Sequence, residues 1–355
     1  MTNASSYREA GVDLEAQDQA LARIKDLARS TFGPEVLADV GLFGGLFRPS
    51  LDGLREPVLV ASADGVGTKL VVAKMAGDYS TVGVDLVNHC VNDILAQGAR
   101  PLFFLDYVGA GVLEPEATVA LVTGVRDGCR DNGCALLGGE LAEMPGFYRA
   151  GDFELVGFIV GMVDRPLILD GGRVRPGDVL VGLPSSGLHT NGYSLARRIL
   201  FERHDLALTD RLPGTEIGVG AALLQPHRSY LRSLAPILAH PGLHALAHVT
   251  GGGITDNLPR VLPSGTHARV RLGSWEEPAL FRVLEKLGGL AADEMLRVFN
   301  MGVGMIAVVD PGALDEVLAA LGGGRYRPFV IGSVEAGGSG VVYVRDAPGP
   351  AGQRE

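Results

Sequence analysis

The chain has little of what marks several common protein classes. It contains only three cysteines, Cys90, Cys129 and Cys134, and they form no metal-binding arrangement. Such a sparse, odd-numbered set favours buried, reduced thiols over a disulfide framework. The longest apolar stretches, such as 155–163, are too short and too interrupted by glycine to span a bilayer. The first eleven residues also lack the apolar core of a secretory signal. These absences predict a soluble protein of the cytoplasm.

Positive charge is scarcer than negative charge. The sequence has 31 Lys and Arg against 41 Asp and Glu, which gives a formal net charge of -10. This balance argues against nucleic acid or an anionic membrane surface as the main partner. An anionic substrate would therefore need a pocket that is locally positive or loaded with metal. With 355 residues, 46% of them hydrophobic, the chain can bury a large core and is expected to form two domains.

The first half of the chain alternates between strand-like and helical patterns. Glycine and proline separate these segments rather than forming low-complexity tracts. Helices are predicted at 18–31, 85–97 and 114–132, and strands at 58–61, 81–84, 102–106, 134–137 and 153–162. This alternation is typical of an α/β or α+β domain.

A second cycle of strands and helices follows a turn-rich linker at 164–177. Its predicted helices are 192–203, 217–239 and 278–287, and its predicted strands begin at Val179 and cover 267–272, 303–309 and 328–334. We therefore expect an N-terminal domain at 1–168, a C-terminal domain at 174–345 and a flexible tail at 346–355.

A glycine motif directly after the first predicted strand has the residue types that bind a polyphosphate and its metal. Gly65 and Gly67 let the backbone approach phosphate oxygens, Lys69 supplies positive charge, and Asp64 can hold a divalent cation beside the hydroxyl of Thr68. The spacing fits neither the Walker pattern nor the dinucleotide fingerprint. A glycine turn with a solvated lysine stays open as the alternative.

The helix predicted at 85–97 has a polar face of unusual composition. At about 100° per residue, Asp85, Asn88, His89, Asn92 and Asp93 share one arc. A solvated face would normally carry Lys, Glu and Arg, so these short side chains favour a metal and polar-ligand site, with Asp93 as the best magnesium ligand. Structural hydrogen bonding by the two asparagines is the alternative.

A third cluster, 138–146, follows the predicted strand at 134–137. Its two carboxylates, Glu140 and Glu143, can reach a metal held by Asp64 and Asp93. The alternative is that they only load the first turn of a short helix, where negative charge is favourable.

The second domain offers two phosphate-binding candidates. Ser185, Ser186, His189, Thr190 and Asn191 lie at the entrance to a predicted helix, and helix N-termini bind phosphate. Capping would explain one of these polar residues but not most of them. The segment 182–186 does not fit the hydrolase elbow, which needs glycine where Ser186 stands, and this argues against a serine nucleophile.

A second glycine-rich turn follows His248. Gly251, Gly252 and Gly253 could cradle a phosphate or form a sharp turn.

These motifs and their order resemble the phosphoribosylformylglycinamidine cyclo-ligase family, also called aminoimidazole ribonucleotide synthetases, of purine biosynthesis. The matching blocks are 7–13, 43–47, 62–70, 85–99, 101–107, 138–146, 183–195, 248–263 and 294–305. They cover nearly the whole chain. Leu141 departs from the threonine that is usual in the family, and Thr190 replaces the usual serine but keeps its hydroxyl.

The resemblance implies an ATP-dependent ring closure. Formylglycinamidine ribonucleotide would become aminoimidazole ribonucleotide through an O-phosphorylated imidate, with release of ADP and phosphate. It also implies two α/β domains, with the N-terminal sheet joining that of a second subunit in a homodimer, and Mg²⁺ as the metal.

Site roles carried over from the resemblance fall on the motifs above. Asp64, Asp93 and Glu140 would bind magnesium. ATP would contact Asp64, Gly65, Gly67, Thr68, Lys69, Asn92 and Asp93. The substrate and its ribose phosphate would contact Ser185, Ser186, His189, Thr190, Asn191, Gly251, Gly252 and Gly253. Lys69 would neutralise the transferring phosphoryl group, and Lys69→Ala is expected to reduce turnover by orders of magnitude with the fold intact. His189 would transfer a proton or polarise phosphate, with His248 as the weaker candidate.

Four other functions stay open. Selenophosphate synthetase has a similar core but needs a reactive cysteine or selenocysteine near its N-terminus, whereas the first cysteine here is Cys90. Thiamine phosphate kinase is not expected to carry the block at 189–194. A catalytically silent nucleotide-binding dimer or scaffold would not need Asp64, Lys69, Asp93 and His189 together. A metabolite-binding module would bind the ribonucleotide without consuming ATP.

Overall fold

The structure, a computed structural model, describes residues 14–345. The predicted tail at 346–355 and the matching block at 7–13 lie outside the described residues. The described chain packs as two units. Unit 1 contains the residues up to Ile168 together with His189–Leu231, and unit 2 contains Leu169–Leu188 and the chain from Arg232 onward. Within 14–345, no helix is both long and apolar enough to cross a membrane.

Unit 1 is built on a four-stranded mixed sheet. Its strands are β1 (Pro57–Gly65), β2 (Arg100–Ala110), β3 (Ala135–Glu143) and β4 (Phe153–Asp164). Their order is β1-β4-β2-β3, with β4 antiparallel to both neighbours and β2 parallel to β3. The main helices are α1 (Leu14–Arg29), α2 (Lys69–Ala76), α3 (Ser80–Leu95) and α4 (Pro115–Asn132), followed later in the chain by α5 (Tyr193–Arg197), which continues as a π-helix over Arg198–Arg203, and α6 (Val219–Leu223).

The two faces of this sheet differ. Helix α3 packs on one face, where a Cβ on Gly157 would fall 2.9 Å from the side chain of Leu86. Helix α4 packs closely on α3, since a Cβ on Gly83 would lie 2.2 Å from the carbonyl oxygen of Leu121. Side chains on the other face stay exposed, including Leu59 at 65% and Phe158 at 41%.

Unit 2 contains a six-stranded mixed sheet in the order β10-β7-β9-β5-β8-β6. The strands are β5 (Val179–Pro184), β6 (Leu243–His248), β7 (Thr266–Leu272), β8 (Val303–Val309), β9 (Phe329–Ala336) and β10 (Val341–Arg345). The helices are α7 (Leu231–Leu234), which starts at the unit boundary, α8 (Gly253–Asn257), α9 (Ala279–Gly288), α10 (Ala292–Val298) and α11 (Leu314–Gly322). Alternating strand residues such as Leu180, Ile306 and Ile331 form a shared apolar core with Leu258.

The predicted α/β class is confirmed, and two predicted elements are wrong. Residues 81–84 belong to α3 and not to a strand. The single helix predicted over 217–239 is instead two short helices, α6 and α7, because Pro226 between them has no N–H to continue a helix. The segment 189–231 also packs with unit 1, although it follows the predicted linker in the chain. The strands β6 and β10 and the helices α2, α8, α10 and α11 were not predicted.

Asp106 on β2 is a buried carboxyl group on the helix-covered face. It pairs in register with Gly157 on one side and Gly139 on the other, and only 8% of its surface is exposed. Burial raises the pKa of Asp106 from 3.8 to about 7, although its own backbone N–H partly opposes this shift. The folded state therefore favours the neutral form.

We expect Asp106→Asn to remove a pH-dependent loss of stability. The folded-state pKa lies above the unfolded value, so the contribution of Asp106 to stability is fully present below about pH 4 and is lost as pH rises through 7. Between pH 4 and pH 8 the Asn variant should gain about 4 kcal/mol of unfolding free energy relative to the unaltered protein. Urea denaturation at the two pH values measures this gain, with Asp18→Asn on the exposed side of α1 as control. An equal gain in both variants would contradict it.

Candidate active site

A cavity of about 650 Å³ opens in unit 1 beside the C-terminal end of β1. One part of its wall is the glycine motif and another is the start of the 189–231 segment, while aromatic side chains close a third part. The residues are Asp64, Gly65, Gly67, Thr68, Leu70, Val71, His89, Phe147, Tyr148, Phe153, Glu154, Leu155, Val156, Thr190 and Asn191. Six predicted site residues from two distant parts of the chain therefore line one cavity.

The glycine motif forms the turn between β1 and α2. Gly67 has a φ of 56°, in the left-handed region that glycine adopts readily. The backbone N–H of Gly65 donates to Asp64 Oδ1 at 2.7 Å, and Thr68 Oγ1 lies 3.0 Å from Ser194 Oγ. The turn thus exposes backbone to the cavity and fixes the direction of the Asp64 carboxylate.

Asp64 and Asp93 converge on one histidine. His89 Nε2 lies 2.9 Å from Asp64 Oδ2 and 3.8 Å from Asp93 Oδ2, and Ser62 Oγ donates to Asp93 Oδ2 at 3.0 Å. Both carboxylates remain partly exposed, at 48% and 26%. Two carboxylates close together and accessible to solvent are a donor set that fits Mg²⁺.

The interaction between Asp64 and His89 shifts the pKa of both side chains. Burial alone raises the pKa of Asp64, but the hydrogen bond and charge of His89 outweigh burial and lower that pKa. Burial alone lowers the pKa of His89, but the hydrogen bond to Asp64 and the charge of Asp93 raise it above its ordinary value. The arrangement stabilises Asp64 as a carboxylate.

Glu140 does not lie beside Asp64 and Asp93 in the described chain. It lies on β3, at the opposite edge of the sheet from β1, so three strand spacings of about 4.8 Å separate the two strands. Gly139 pairs in register with Asp106 on the helix-covered face, and the next residue, Glu140, therefore points to the opposite face. The structure therefore brings Asp64 and Asp93 together without Glu140, and metal binding by these carboxylates stays a prediction.

Lys69 is fully buried at the start of α2. Its Nζ lies 2.6 Å from Asp85 Oδ2 and donates to the carbonyl oxygen of Gln225 at 2.7 Å. Burial lowers the pKa of Lys69 and raises that of Asp85, and each charge opposes the shift of the other. Removing Lys69 would leave Asp85 as a buried carboxylate without a counter-charge, so this contact predicts a destabilised fold for Lys69→Ala, whereas the sequence alone predicted an intact one. Its role towards a phosphoryl group stays a prediction.

Much of the polar face of α3 holds the backbone of residues 225–230. Asp85 Oδ1 accepts from His227 N at 2.5 Å, and Asn88 Nδ2 donates to the His227 carbonyl at 2.7 Å. Asn92 Nδ2 donates to the Arg228 carbonyl at 2.8 Å, and its Oδ1 accepts from Tyr230 N at 3.0 Å. Asn88 and Asn92 therefore make structural hydrogen bonds, which was the alternative interpretation of this polar face. A direct contact between Asn92 and a cofactor would require these bonds to break, and it stays a prediction.

His189 and Thr190 lie in a cluster of histidines. His189 is buried, has a φ of 60°, and stacks on His227 with ring centroids 4.0 Å apart. Thr190 Oγ1 lies 2.7 Å from His89 Nδ1 and 3.3 Å from His227 Nδ1. Sequence reasoning missed His227, because nothing in the pattern around Pro226 shows that this segment returns to α3.

The remaining predicted substrate residues belong to unit 2. Ser185 Oγ donates to Asn300 Oδ1 at 2.9 Å. Gly252 and Gly253 both have positive φ, and a Cβ on Gly253 would lie 2.2 Å from the Leu296 carbonyl oxygen. The turn at 251–253 thus needs glycine for its own packing. Contacts of Ser185, Ser186 and this turn with substrate stay predictions, as does a role for His248, which is buried at the end of β6.

Lys69→Met should destabilise the protein strongly because it leaves Asp85 buried without a counter-charge. We expect the free energy of unfolding, measured by urea denaturation, to fall by about 3–5 kcal/mol. Lys74→Met is the matched control on the same helix, since Lys74 pairs with Asp152 at 2.8 Å in a half-exposed position. That change should cost less than about 1 kcal/mol. Similar losses in the two variants would contradict the prediction.

Two family models match the chain in the order of its units. The model "AIR synthase related protein, N-terminal domain" matches residues 53–163, and "AIR synthase related protein, C-terminal domain" matches residues 175–345.

Among solved structures, Escherichia coli HypE has a TM-score of 0.65 at 20% identity and covers 90% of this chain and 92% of its own. Thiamine-monophosphate kinase from Stenotrophomonas maltophilia K279a has a TM-score of 0.64 at 20% identity, with coverage of 92% and 95%. These likenesses establish the fold.

Curated relatives are much more similar in sequence. Phosphoribosylformylglycinamidine cyclo-ligase of Geobacter metallireducens is 49% identical over 96% of this chain and 98% of that protein. The protein of the same name from Sorangium cellulosum is 51% identical over 97% of each chain. Since the identity extends through both units, the chain belongs to the phosphoribosylformylglycinamidine cyclo-ligase family.

Proposed function

We propose that the protein catalyses the ATP-dependent cyclisation of formylglycinamidine ribonucleotide to 5-aminoimidazole ribonucleotide, with release of ADP and phosphate. The observation that carries this proposal is the cavity in unit 1. There the Asp64–Thr68 turn, Thr190 and Asn191 meet, as the chemistry of a nucleotide and an anionic substrate requires. Membership of the family supplies the reaction.

The reaction needs ATP because an amide oxygen is a poor leaving group. Transfer of the γ-phosphoryl group to the formyl oxygen gives an O-phosphorylated imidate and ADP. The amidine nitrogen then attacks the former formyl carbon, the C–O bond breaks, and phosphate leaves as the ring closes. Phosphoryl transfer depends on positioning and charge neutralisation more than on a protein nucleophile.

The chain's own residues supply that positioning. Asp64 and Asp93 would hold Mg²⁺, which when bound neutralises phosphate charge. The backbone N–H groups of the 65–68 turn would face the phosphates of ATP, and Thr190 and Asn191 would contact the substrate. His189 is the candidate proton-transfer group. Lys69 and Asn92 would act from behind the cavity wall, where they fix α2 and the 225–230 segment.

The exposed face of the unit 1 sheet supports a homodimer. Leu59 and Phe158 lie on this face, and β1 is an edge strand. Exposed apolar side chains on a sheet face beside an open edge are the kind of surface that a second copy covers. Glu140 points to the same face, so in a dimer it would lie towards the partner subunit. We place this homodimer in the cytoplasm, with no nucleic-acid or membrane partner.

ADP release by the purified protein with ATP and Mg²⁺ should depend on formylglycinamidine ribonucleotide and should match aminoimidazole ribonucleotide formed one to one. Asp64→Asn should lower turnover at least about 100-fold because the metal site loses a charge. Asp127→Asn, an exposed change on α4, is the control. ADP release without ring closure would favour a kinase, and ATP binding without turnover would favour a silent binder.

Sedimentation should report a species of twice the 37.1 kDa chain mass. Leu59→Arg combined with Phe158→Arg should yield monomers, because two buried charges would oppose the sheet interface. Ile217→Arg introduces one such charge at a 46% exposed position outside the sheet strands and should leave the dimer intact. A monomer in the unaltered protein would contradict the dimer.

A further inference from the structure

Five side chains form a continuous hydrogen-bonded chain that runs from Asn92 to Asp64. Asn92 Nδ2 lies 3.2 Å from His227 Nε2, and His227 Nδ1 lies 3.3 Å from Thr190 Oγ1. Thr190 Oγ1 lies 2.7 Å from His89 Nδ1, and His89 Nε2 lies 2.9 Å from Asp64 Oδ2. All five residues belong to unit 1, and all but Asp64 are buried.

The direction of this chain begins with the orientation of Asn92. Its Oδ1 accepts from Tyr230 N and its Nδ2 donates to the Arg228 carbonyl, so the amide cannot be flipped without two mismatched contacts. The second hydrogen on Nδ2 points to His227. An amide nitrogen donates only, so His227 Nε2 must accept.

The direction of each following bond is inferred from this starting point. A neutral His227 that accepts at Nε2 carries its proton on Nδ1 and donates to Thr190 Oγ1. The single hydroxyl hydrogen of Thr190 is therefore directed to His89 Nδ1. A neutral His89 that accepts at Nδ1 carries its proton on Nε2 and donates to Asp64. A protonated His89 also donates from Nε2, so Asp64 receives this bond in either state.

We propose that His89 is a positioning residue for the metal ligand Asp64, and that Asn92, His227 and Thr190 select the His89 tautomer that does this. Gly65 N holds one carboxylate oxygen and His89 Nε2 holds the other, while 48% of the side chain stays open towards solvent. This is the pattern of outer hydrogen bonds that orient a ligating carboxylate and adjust metal affinity. The inference rests on the proposed role of Asp64 in binding magnesium.

The tautomers test the chain without metal or turnover. In ¹⁵N-histidine-labelled unaltered protein, at a pH where both rings are neutral, ¹⁵N NMR should show the Nε2–H form for His89 and the opposite Nδ1–H form for His227. Loss of each signal in the matching His→Gln variant assigns it among the eight histidines. The Nδ1–H form at His89, or the Nε2–H form at His227, would overturn the proposal.

Metal affinity tests the consequence for Asp64. Mn²⁺ alone, followed by the EPR signal of the unbound ion, is the probe. In His89→Asn the amide stands near the Nδ1 position and cannot reach Asp64, so the Kd should rise about 10- to 100-fold. In His89→Gln the amide nitrogen stands near Nε2 and should restore most of the affinity.

Equal affinity in the unaltered protein and the Asn variant would overturn the proposal, as would a Gln variant as weak as the Asn variant. Absence of saturable Mn²⁺ binding in the unaltered protein would also overturn it. None of these results requires ring closure. A protein that binds Mn²⁺ as expected but forms no aminoimidazole ribonucleotide would contradict the proposed function and leave this inference standing.

Discussion

The candidate site depends on one constraint: the buried backbone of residues 225–230 needs hydrogen-bond partners. His227 and Tyr230 are buried in a stretch that belongs to no helix or strand, and buried N–H and C=O groups must be paired. Helix α3 supplies the partners through Asp85, Asn88 and Asn92. Lys69 completes the arrangement, since it neutralises Asp85 and binds the Gln225 carbonyl.

This arrangement connects packing to chemistry on one helix. The same turns of α3 that hold the 225–230 segment carry His89 and Asp93 towards the cavity. Lys69, at the start of α2 and directly after the glycine turn, forms an ion pair with Asp85 on α3. His227 and Thr190 connect the 225–230 segment to His89 through hydrogen bonds. A buried ion pair contributes little net stability when compared with an apolar pair, but removing one partner is costly. The contacts of Lys69 with Asp85 and the Gln225 carbonyl therefore matter for where these groups lie more than for net stability.

The sequence predicted the elements that have a periodic apolar pattern and the turns that have characteristic residue types. Strands such as 303–309 were predictable from their apolar pattern, and the glycine turn at 65–68 was predictable because its residue types have special backbone and charge properties. The strand predicted at 81–84 was wrong because a short apolar run does not distinguish a strand from a buried helix. The backbone partners of Lys69 and Asn92, the carbonyls of Gln225 and Arg228, could not be predicted, since they lie more than 130 positions away and have no sequence signature.

Amide hydrogen exchange at His227 and Tyr230 tests the central claim most directly. These N–H groups donate to Asp85 and Asn92, so they should exchange only through global unfolding, as slowly as core amides of α3 such as that of Val91. Asn92→Ala should accelerate exchange at Tyr230 by orders of magnitude while the α4 amides keep their rates. Fast exchange at both positions in the unaltered protein would show that α3 does not hold this segment and would contradict the account.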